Sequence, residues 1–139
     1  MYDNLGKLEY LDLTNCGLEG KLSSNLSMLS NLKDLRLSNN MFNSLIPSKM
    51  GLMSRLQILK LNTISVHGEI PSSIGQQKEL VHLDLSVNFL NSKVPSELGL
   101  CTNLSFLRLA RNNLTGYLPL SLENLTKLSD LGLSDNSFS

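Results

Sequence analysis

The chain has 139 residues, with 12 Lys and Arg against 12 Asp and Glu and a formal net charge of zero. This balance argues against a nucleic-acid partner and against a surface that binds acidic membranes. No apolar run reaches the roughly 18 residues that a bilayer-spanning helix needs, so we expect no membrane contact by this chain. Residues 1–7 have neither a basic start nor an apolar run, which predicts that the chain carries no signal peptide.

From Leu8 onward, leucines recur with a period of 24 residues in the pattern Leu-x-x-Leu-x-Leu. The three columns are Leu8, Leu32, Leu56, Leu80, Leu104 and Leu128; Leu11, Leu35, Leu59, Leu83, Leu107 and Leu131; and Leu13, Leu37, Leu61, Leu85, Leu109 and Leu133. A fixed period in this range predicts a stack of identical structural units. The repeats are 8–31, 32–55, 56–79, 80–103, 104–127 and a partial 128–139, with 1–7 as the tail of a preceding repeat.

Each repeat begins with a predicted short strand. The leucines three and five steps into the repeat alternate with polar residues, so one face of this strand is expected to be buried. Just after the strand comes the column Cys16, Asn40, Ile64, Asn88, Asn112 and Asn136. An inward Asn at this point can bond backbone groups left unpaired as the chain turns, so the four Asn are predicted to be structural. Ile64 cannot do so, which predicts a broken rung in the third repeat. We expect Ile64→Asn to stabilise the stack by roughly 0.5–1.5 kcal/mol.

The second half of a repeat reads Gly-x-Ile-Pro, most clearly at residues 68–71. The whole pattern, LxxLxLxxNxLxGxIPxxLGxLxx, resembles the plant-specific class of leucine-rich repeat. It is most similar to ectodomains of plant leucine-rich repeat receptor-like kinases, of which segments 94–99 and 133–139 are typical. The resemblance implies an α/β solenoid: a right-handed, curved stack of coils with a parallel sheet on the concave face. It also implies a short second strand, 3-10 turns on the convex side, and an extracellular parent glycoprotein at the plasma membrane or cell wall.

No catalytic or metal-binding arrangement is recognisable, so we predict a non-enzymatic chain without cofactors. His67 and His82 fall in different columns and lack the spacing of a metal pair. The kinase domain that the resemblance implies for a parent receptor is absent from this chain, which has no phosphate-binding or catalytic-loop motif. Cys16 and Cys101 lie three strand spacings, roughly 14 Å, apart, too far for a disulfide. They are predicted to be free, buried thiols.

Four Asn-x-Ser/Thr sequons are candidate glycosylation sites. They begin at Asn25, Asn103, Asn113 and Asn124. Asn25 and Asn124 fall on the predicted convex turns, where a glycan would least disturb stacking. The alternative is that a chain rich in Asn, Ser and Thr makes sequons by chance.

We expect residues two, four, six, seven and nine steps into each repeat to point outward from the concave sheet, which places Phe89 and Arg111 on it. The columns at steps two and four read Tyr10, Asp34, Ile58, His82, Phe106 and Asp130, and Asp12, Arg36, Lys60, Asp84, Arg108 and Gly132. Because neighbours in a column are within touching distance, we expect Asp12 to pair with Arg36 and Asp84 to bridge Lys60 and Arg108. One interpretation is a self-satisfied charge ladder on a solvated sheet.

The other interpretation is a ligand site, because aromatic residues mixed with arginine are typical of binding interfaces. The predicted site comprises Ile58, His82, Phe89, Phe106, Arg108 and Arg111. A strand-like peptide would lie between Phe89 and Phe106, and Arg111 would be the freer donor because Asp84 competes for Arg108. The resemblance implies receptors that grip a peptide carboxylate with Arg-x-Arg, whereas here Leu-Ala separates Arg108 from Arg111.

Two functional hypotheses follow. The first is a peptide- or protein-binding segment of a receptor ectodomain in signalling or defence. The second is a stand-alone repeat protein acting as a scaffold or as an inhibitor of a cell-wall-degrading enzyme. Neither end of the array has a polar cap, so we also expect self-association through uncapped ends.

Overall fold

The computed structural model describes residues 5–139 as one stack of coils. Its main element is a six-stranded parallel sheet with one strand from each repeat, in sequence order. The strands are β1 (Tyr10–Asp12), β2 (Asp34–Arg36), β3 (Ile58–Lys60), β5 (His82–Asp84), β7 (Phe106–Arg108) and β9 (Asp130–Gly132). We call this sheet the concave sheet. It confirms the predicted strand and the fold class, while the predicted tail is described only from Leu5 on.

A second set of strands follows at the side of the stack, where the chain leaves the concave sheet. These strands have two residues each: β4 (His67–Gly68) pairs with β6 (Phe89–Leu90), and β8 (Thr115–Gly116) pairs with β10 (Ser137–Phe138). Backbone hydrogen bonds with the same spacing also link Asn91 to Gly68 and Asn113 to Leu90. We call this ladder the lateral sheet.

The convex side carries one 3-10 helix in each of the five complete repeats, as the resemblance implied. The helices span Ser24–Met28, Ser48–Leu52, Ser72–Gln76, Ser96–Leu100 and Leu120–Asn124. Four of them begin after a proline, whose fixed φ suits the residue before a helix and prevents strand pairing. Neighbouring helices approach closely, because a Cβ added at Gly99 would collide with the Ser121 carbonyl oxygen.

The core is the column of leucines between the sheet and the 3-10 helices. The strand leucines Leu35, Leu59, Leu83 and Leu107 are 0–1% exposed. At about 25 cal/mol per Å², burial of these side chains is the main stabilising term of the stack. Each coil covers its neighbour, which is why repeats stabilise one another and not themselves.

The predicted Asn column forms the turn at the end of each concave strand. Asn88 lies 6% exposed, and its Oδ1 accepts hydrogen bonds from the backbone N–H groups of Ile64 and Val66. Its Nδ2 donates to the carbonyls of Leu61 and Leu85 at 2.9 and 3.0 Å. The corresponding bonds of Asn40, Asn112 and Asn136 likewise place each Asn between two repeats.

The third-repeat rung is broken only in part, because the backbone replaces the missing acceptor while the bonds that an Asn amide donates have no counterpart at Ile64. Where other repeats use an Asn oxygen, the Phe42 N–H donates to the Ile64 carbonyl at 3.0 Å. Ser65, directly after Ile64, adopts a left-handed φ of 64°. Gly17, directly after Cys16, has a φ of 67°. Both repeats that lack the Asn therefore have an additional left-handed residue directly after the Asn position.

The thiols differ from each other. Both cysteines are free, as predicted, but Cys16 is exposed and Cys101 is buried. The prediction of burial was therefore wrong for Cys16, because the first coil is covered on one side only in the described part of the chain. Burial raises the pKa of Cys101 to about 11, which keeps it protonated and unreactive.

Candidate functional site

Three residues of the predicted site form a continuous apolar row on the concave sheet. Ile58, His82 and Phe106 are direct partners in the register of β3, β5 and β7. The His82 and Phe106 rings stack with centroids 5.0 Å apart and an interplanar angle of 22°. Phe106 is 37% exposed, so the row offers a ligand a flat, partly hydrated surface. We call these three residues the platform.

His82 is the titratable member of the platform. Burial, followed by the nearby positive charge of Lys60, lowers the pKa of His82 below its ordinary value of 6.5. Near neutral pH the imidazole is therefore uncharged, which suits stacking on Phe106 and contact with apolar ligand groups.

The charged residues before the platform are paired among themselves. Arg36 binds Asp34 through two hydrogen bonds of 2.9 and 3.0 Å and lies 5.7 Å from the Tyr10 ring centroid. Asp12 instead accepts from the Thr14 N–H and the Tyr10 hydroxyl. The predicted Asp12–Arg36 ion pair was wrong, because residues two apart on one strand share a face and Asp34 reaches the guanidinium first.

The predicted bridge from Asp84 to Lys60 and Arg108 is also absent from the described residues. Asp84 Oδ1 accepts from the N–H and hydroxyl of Ser86 at 3.0 and 2.6 Å, a local turn that points the carboxylate along its own strand.

Both arginines of the predicted site are engaged by aspartates of the sixth repeat. Arg108 forms an ion pair with Asp130, and the Arg111 Nε lies 3.5 Å from Asp135 Oδ2. Arg111 is the freer donor, as expected, since its side chain is 70% exposed against 49% for Arg108. The expected reason, competition by Asp84 for Arg108, was wrong. Asp130 lies on the strand beside Arg108, so it supplies the nearer carboxylate.

Phe89 lies in a different sheet from the rest of the predicted site. It belongs to β6 of the lateral sheet, in register with His67, and is 62% exposed. Its placement on the concave sheet was wrong, because the chain turns outward at Val87 and Asn88 before it reaches Phe89. A ligand gripped between Phe89 and Phe106 would have to cross the edge between two sheets.

A shallow depression lies at that edge. Its volume is 380 Å³, and its lining includes Val87, Arg108, Ala110, Arg111 and Asp130. Val87 is a β-branched residue with a left-handed φ of 55°, a conformation that such residues rarely adopt. The depression adjoins the platform through Arg108, the residue that follows two positions after Phe106 on β7.

The lateral sheet carries an exposed apolar row that sequence reasoning missed. Leu45, His67 and Phe89 are register neighbours, and Leu45 and Phe89 are 59% and 62% exposed. A cavity of 480 Å³ beside this row is lined by Leu22, Leu45, Pro47 and His67 among others. The sequence signal was a spacing of 22 residues, which differs from the repeat length because lateral strands pair with a two-residue offset.

The four sequons occupy different environments. Asn25, Asn113 and Asn124 are exposed. Asn103 is partly buried, donates from Nδ2 to the Lys78 carbonyl at 2.9 Å and accepts from Lys127 Nζ at 2.7 Å. Its amide therefore ties neighbouring coils together, as the Asn31 amide does to the Gly6 carbonyl in the same column.

Within residues 5–139, no cluster of three or more His, Cys, Asp or Glu residues is placed to hold a metal ion. Among the helices of this described part, none combines the length and apolar character needed to cross a bilayer.

Comparison with known families identified one match, described as Leucine Rich Repeat, over residues 7–29, 31–53, 79–101 and 103–125. The unmatched stretch between the second and third segments contains Ile64. Comparison with curated protein sequences found no match.

Solved structures of plant receptor ectodomains share this fold over nearly the whole chain. The ectodomain of GASSHO1/SCHENGEN3 from Arabidopsis thaliana, in complex with CASPARIAN STRIP INTEGRITY FACTOR 2, is 33% identical with a TM-score of 0.94, covering 100% of this chain and 17% of that one. The Arabidopsis receptor kinase HAESA, in complex with the peptide hormone IDA and the co-receptor SERK1, is 35% identical with a TM-score of 0.92, covering 95% and 22%. The chain thus spans about a fifth of these receptors.

The same coil also occurs outside receptors. A plant ice-binding protein is 25% identical with a TM-score of 0.83, covering 97% of this chain and 51% of that one. The fold by itself therefore does not select one function.

Proposed function

Because this chain belongs to the leucine-rich repeat family, we propose that it is a non-catalytic recognition segment of a plant receptor ectodomain that binds a peptide or protein ligand. The proposal rests on the similarity, at TM-scores of 0.92–0.94, to ectodomains whose structures were solved with peptide ligands. The parent receptor acts in signalling or defence, with this segment on the extracellular face of the plasma membrane or in the cell wall.

The observation that carries a site to this chain is the platform. Its three side chains come from adjacent strands, so an extended peptide crossing the strands can contact all of them. The stacked rings of His82 and Phe106 supply the aromatic area that anchors interfaces. The ion-paired residues on either side, Asp34 with Arg36 and Arg108 with Asp130, form a polar rim.

Selection from a displayed library of random peptides tests this proposal. We expect enriched peptides whose affinity falls by about 30-fold or more in Phe106→Ala, the loss that a central aromatic anchor produces. Gln76→Ala, on the exposed convex side, is the matched control and should leave affinity unchanged. Failure to enrich any peptide, or equal binding by Phe106→Ala, would contradict the proposal.

The glycosylation sites form part of the same proposal. Asn25, Asn113 and Asn124 are exposed, which leaves their side chains accessible for glycosylation. At Asn103 a glycan would compete with the hydrogen bond to Lys78. Mass spectrometry of the chain secreted from plant cells should therefore find glycans at the first three positions and none at Asn103. Full occupancy at Asn103 would contradict this assignment.

The alternative function is a stand-alone scaffold or an inhibitor of a cell-wall-degrading enzyme, which would use the same coil. A coding sequence that continues into a membrane-spanning helix and a kinase domain would decide for the receptor.

A further inference from the structure

We propose that two copies of this chain associate through their convex faces, with the stacks antiparallel and a two-fold axis over the third repeat. The proposed function uses the concave sheet, so this inference goes beyond it and does not depend on it. Three features of the convex side carry the inference. They are an exposed apolar row, opposite charges placed symmetrically about the third repeat, and uncharged residues on the axis.

The apolar row runs along the ends of the 3-10 helices. The last residues of the five helices are Met28, Leu52, Gln76, Leu100 and Asn124. Met28, Leu52 and Leu100 are 51%, 61% and 49% exposed. A single exposed leucine is common on protein surfaces, whereas Leu52 and Leu100 lie in one column and flank Gln76 symmetrically. Leu100 also leans over the third repeat, since a Cβ added at Gly75 would lie 3.2 Å from Leu100 Cδ1.

The opposite charges lie on the same helices, three residues earlier. The second residues of the five helices are Asn25, Lys49, Ser73, Glu97 and Ser121. Lys49 and Glu97 are exposed, and neither forms an ion pair within 4.0 Å among residues 5–139. Within one chain two coils separate their backbones, roughly 10 Å at about 4.8 Å per coil. Both charges are therefore available to a second molecule.

A two-fold axis that runs across the stack, between two convex faces, brings these groups together. In such an isologous contact, each residue meets the residue that the symmetry places opposite it. The second repeat of one copy then faces the fourth repeat of the other. Leu52 faces Leu100 of the second copy, and Lys49 faces Glu97 of the second copy. Because each contact forms twice, the charges and the apolar side chains of both copies are matched.

The residues on the axis are compatible with contact between identical faces. Ser73 and Gln76 face their own counterparts, and neither is charged. Two Gln76 amides can satisfy each other, because an amide both donates and accepts. Ser73 Oγ already donates to the Ser48 carbonyl at 2.6 Å. An axis over the second or the fourth repeat would instead place Lys49 or Glu97 against its own counterpart, where like charges repel.

The contact is small and closed. It involves the helices of the second to fourth repeats, which places it among weak, reversible associations. Its symmetry is satisfied by two copies, so growth stops at the dimer, whereas association through the ends of the stack would continue. The concave sheet of each copy stays open.

Sedimentation equilibrium of the full chain, from about 10 µM to about 1 mM, measures this association. We expect a monomer–dimer equilibrium. Lys49→Glu and Glu97→Lys should each raise the dimer Kd by about 10-fold or more, because each places like charges opposite each other twice. The double variant Lys49→Glu/Glu97→Lys should return to within about 3-fold of wild type, because it exchanges the two charges. Leu52→Ser should also raise the Kd by about 10-fold, through the loss of apolar contact.

The matched controls are Lys93→Glu and Glu69→Lys, at exposed residues beside the lateral sheet. Both should leave the Kd unchanged, and thermal unfolding curves that match wild type establish that every variant is folded. A wild type that stays monomeric at about 1 mM would overturn the inference and leave the row to a different partner. So would a dimer that tolerates either single charge reversal, or one that the double variant does not restore. Oligomers that keep growing with concentration would assign the association to the ends of the stack.

Discussion

The third and fourth repeats have the same length and strand register, but polar and apolar residues are interchanged between them at two core positions. At the turn after the strand, the fourth repeat has the polar Asn88 and the third has the apolar Ile64. On the convex side of the core, the fourth repeat has Cys101 and the third has the polar Gln77, both 0% exposed.

The outcome of the exchange differs at the two positions. At the turn, the polypeptide adapts: Ser65 becomes left-handed, and the Ile64 carbonyl takes over the role of an Asn oxygen toward Phe42. On the convex side, Gln77 Nε2 donates to the Met50 carbonyl at 2.8 Å, but its Oε1 is buried without a partner. At the turn the backbone replaces a missing side-chain acceptor, whereas no donor reaches the Gln77 oxygen within the packed core.

The largest effect is expected from Asn88→Ala. The change removes five hydrogen bonds and leaves the buried N–H groups of Ile64 and Val66 without acceptors. We expect a loss of about 2–5 kcal/mol in the free energy of unfolding, since each orphaned group costs about 1–3 kcal/mol. Urea unfolding measures it. Asn91→Ala, at an exposed Asn of the same repeat, should change stability by less than about 0.5 kcal/mol.

The reverse exchange, Ile64→Asn, is now expected to destabilise the stack by about 1–3 kcal/mol, not to stabilise it. The Phe42 N–H already has a partner, Ile64 is 0% exposed, and the new amide would enter an apolar site. Urea midpoints of wild type and variant decide the sign. An increased midpoint would contradict this expectation and would mean that Ser65 adopts the turn conformation of the fourth repeat. Ile64→Val is the reference for lost apolar volume, with an expected loss of about 0.5–1.5 kcal/mol in the free energy of unfolding.

Gln77→Met should raise stability by about 1–2 kcal/mol, because it removes the buried orphan oxygen at nearly constant volume. The Met50 carbonyl keeps a donor, the Met53 N–H at 3.0 Å. Thermal and urea unfolding should shift in the same direction. Gln76→Met, at the exposed neighbouring residue, is the control for a general gain in hydrophobicity. If Gln77→Met is less stable than wild type, the lost hydrogen bond from Nε2 to Met50 outweighs the removal of the unpaired oxygen.

The smallest effect is expected at Val87, in the left-handed column directly before the Asn column. All six residues of this column have φ between 55° and 57°: Asn15, Asn39, Thr63, Val87, Arg111 and Asp135. Because Asn tolerates this conformation better than a β-branched residue, Val87→Asn should stabilise by about 0.5–1 kcal/mol. The opposite change at a matched position, Asn39→Val, should lower the unfolding midpoint. Equal midpoints in both variants would show that the column carries no strain.

The sequence by itself determined the coil. The 24-residue period fixed the register of all six concave strands, because every coil must present its leucines to the same core. The structural role of the Asn column was also predictable from the sequence, because a buried amide at the end of a strand can bond the backbone groups that the turn leaves unpaired. The period could not reveal how the chain responds where the column is broken, because that response at Ser65 is a change of backbone angle and not of residue type.

Only the tertiary structure decided the composition of the site. Phe89 lies outside the concave sheet because the chain turns outward at Val87 and Asn88. Its neighbours could not be read from the 24-residue period, because the lateral strands pair with a two-residue offset. Arg36 pairs with Asp34, and Arg108 pairs with Asp130. Several carboxylates lie at similar sequence distances from each arginine, and the directions of the side chains decide which carboxylate forms the ion pair. The hydrophobic pattern determines the backbone because the same leucines recur in every repeat. Each surface ion pair, in contrast, occurs once, and local side-chain geometry determines its partners.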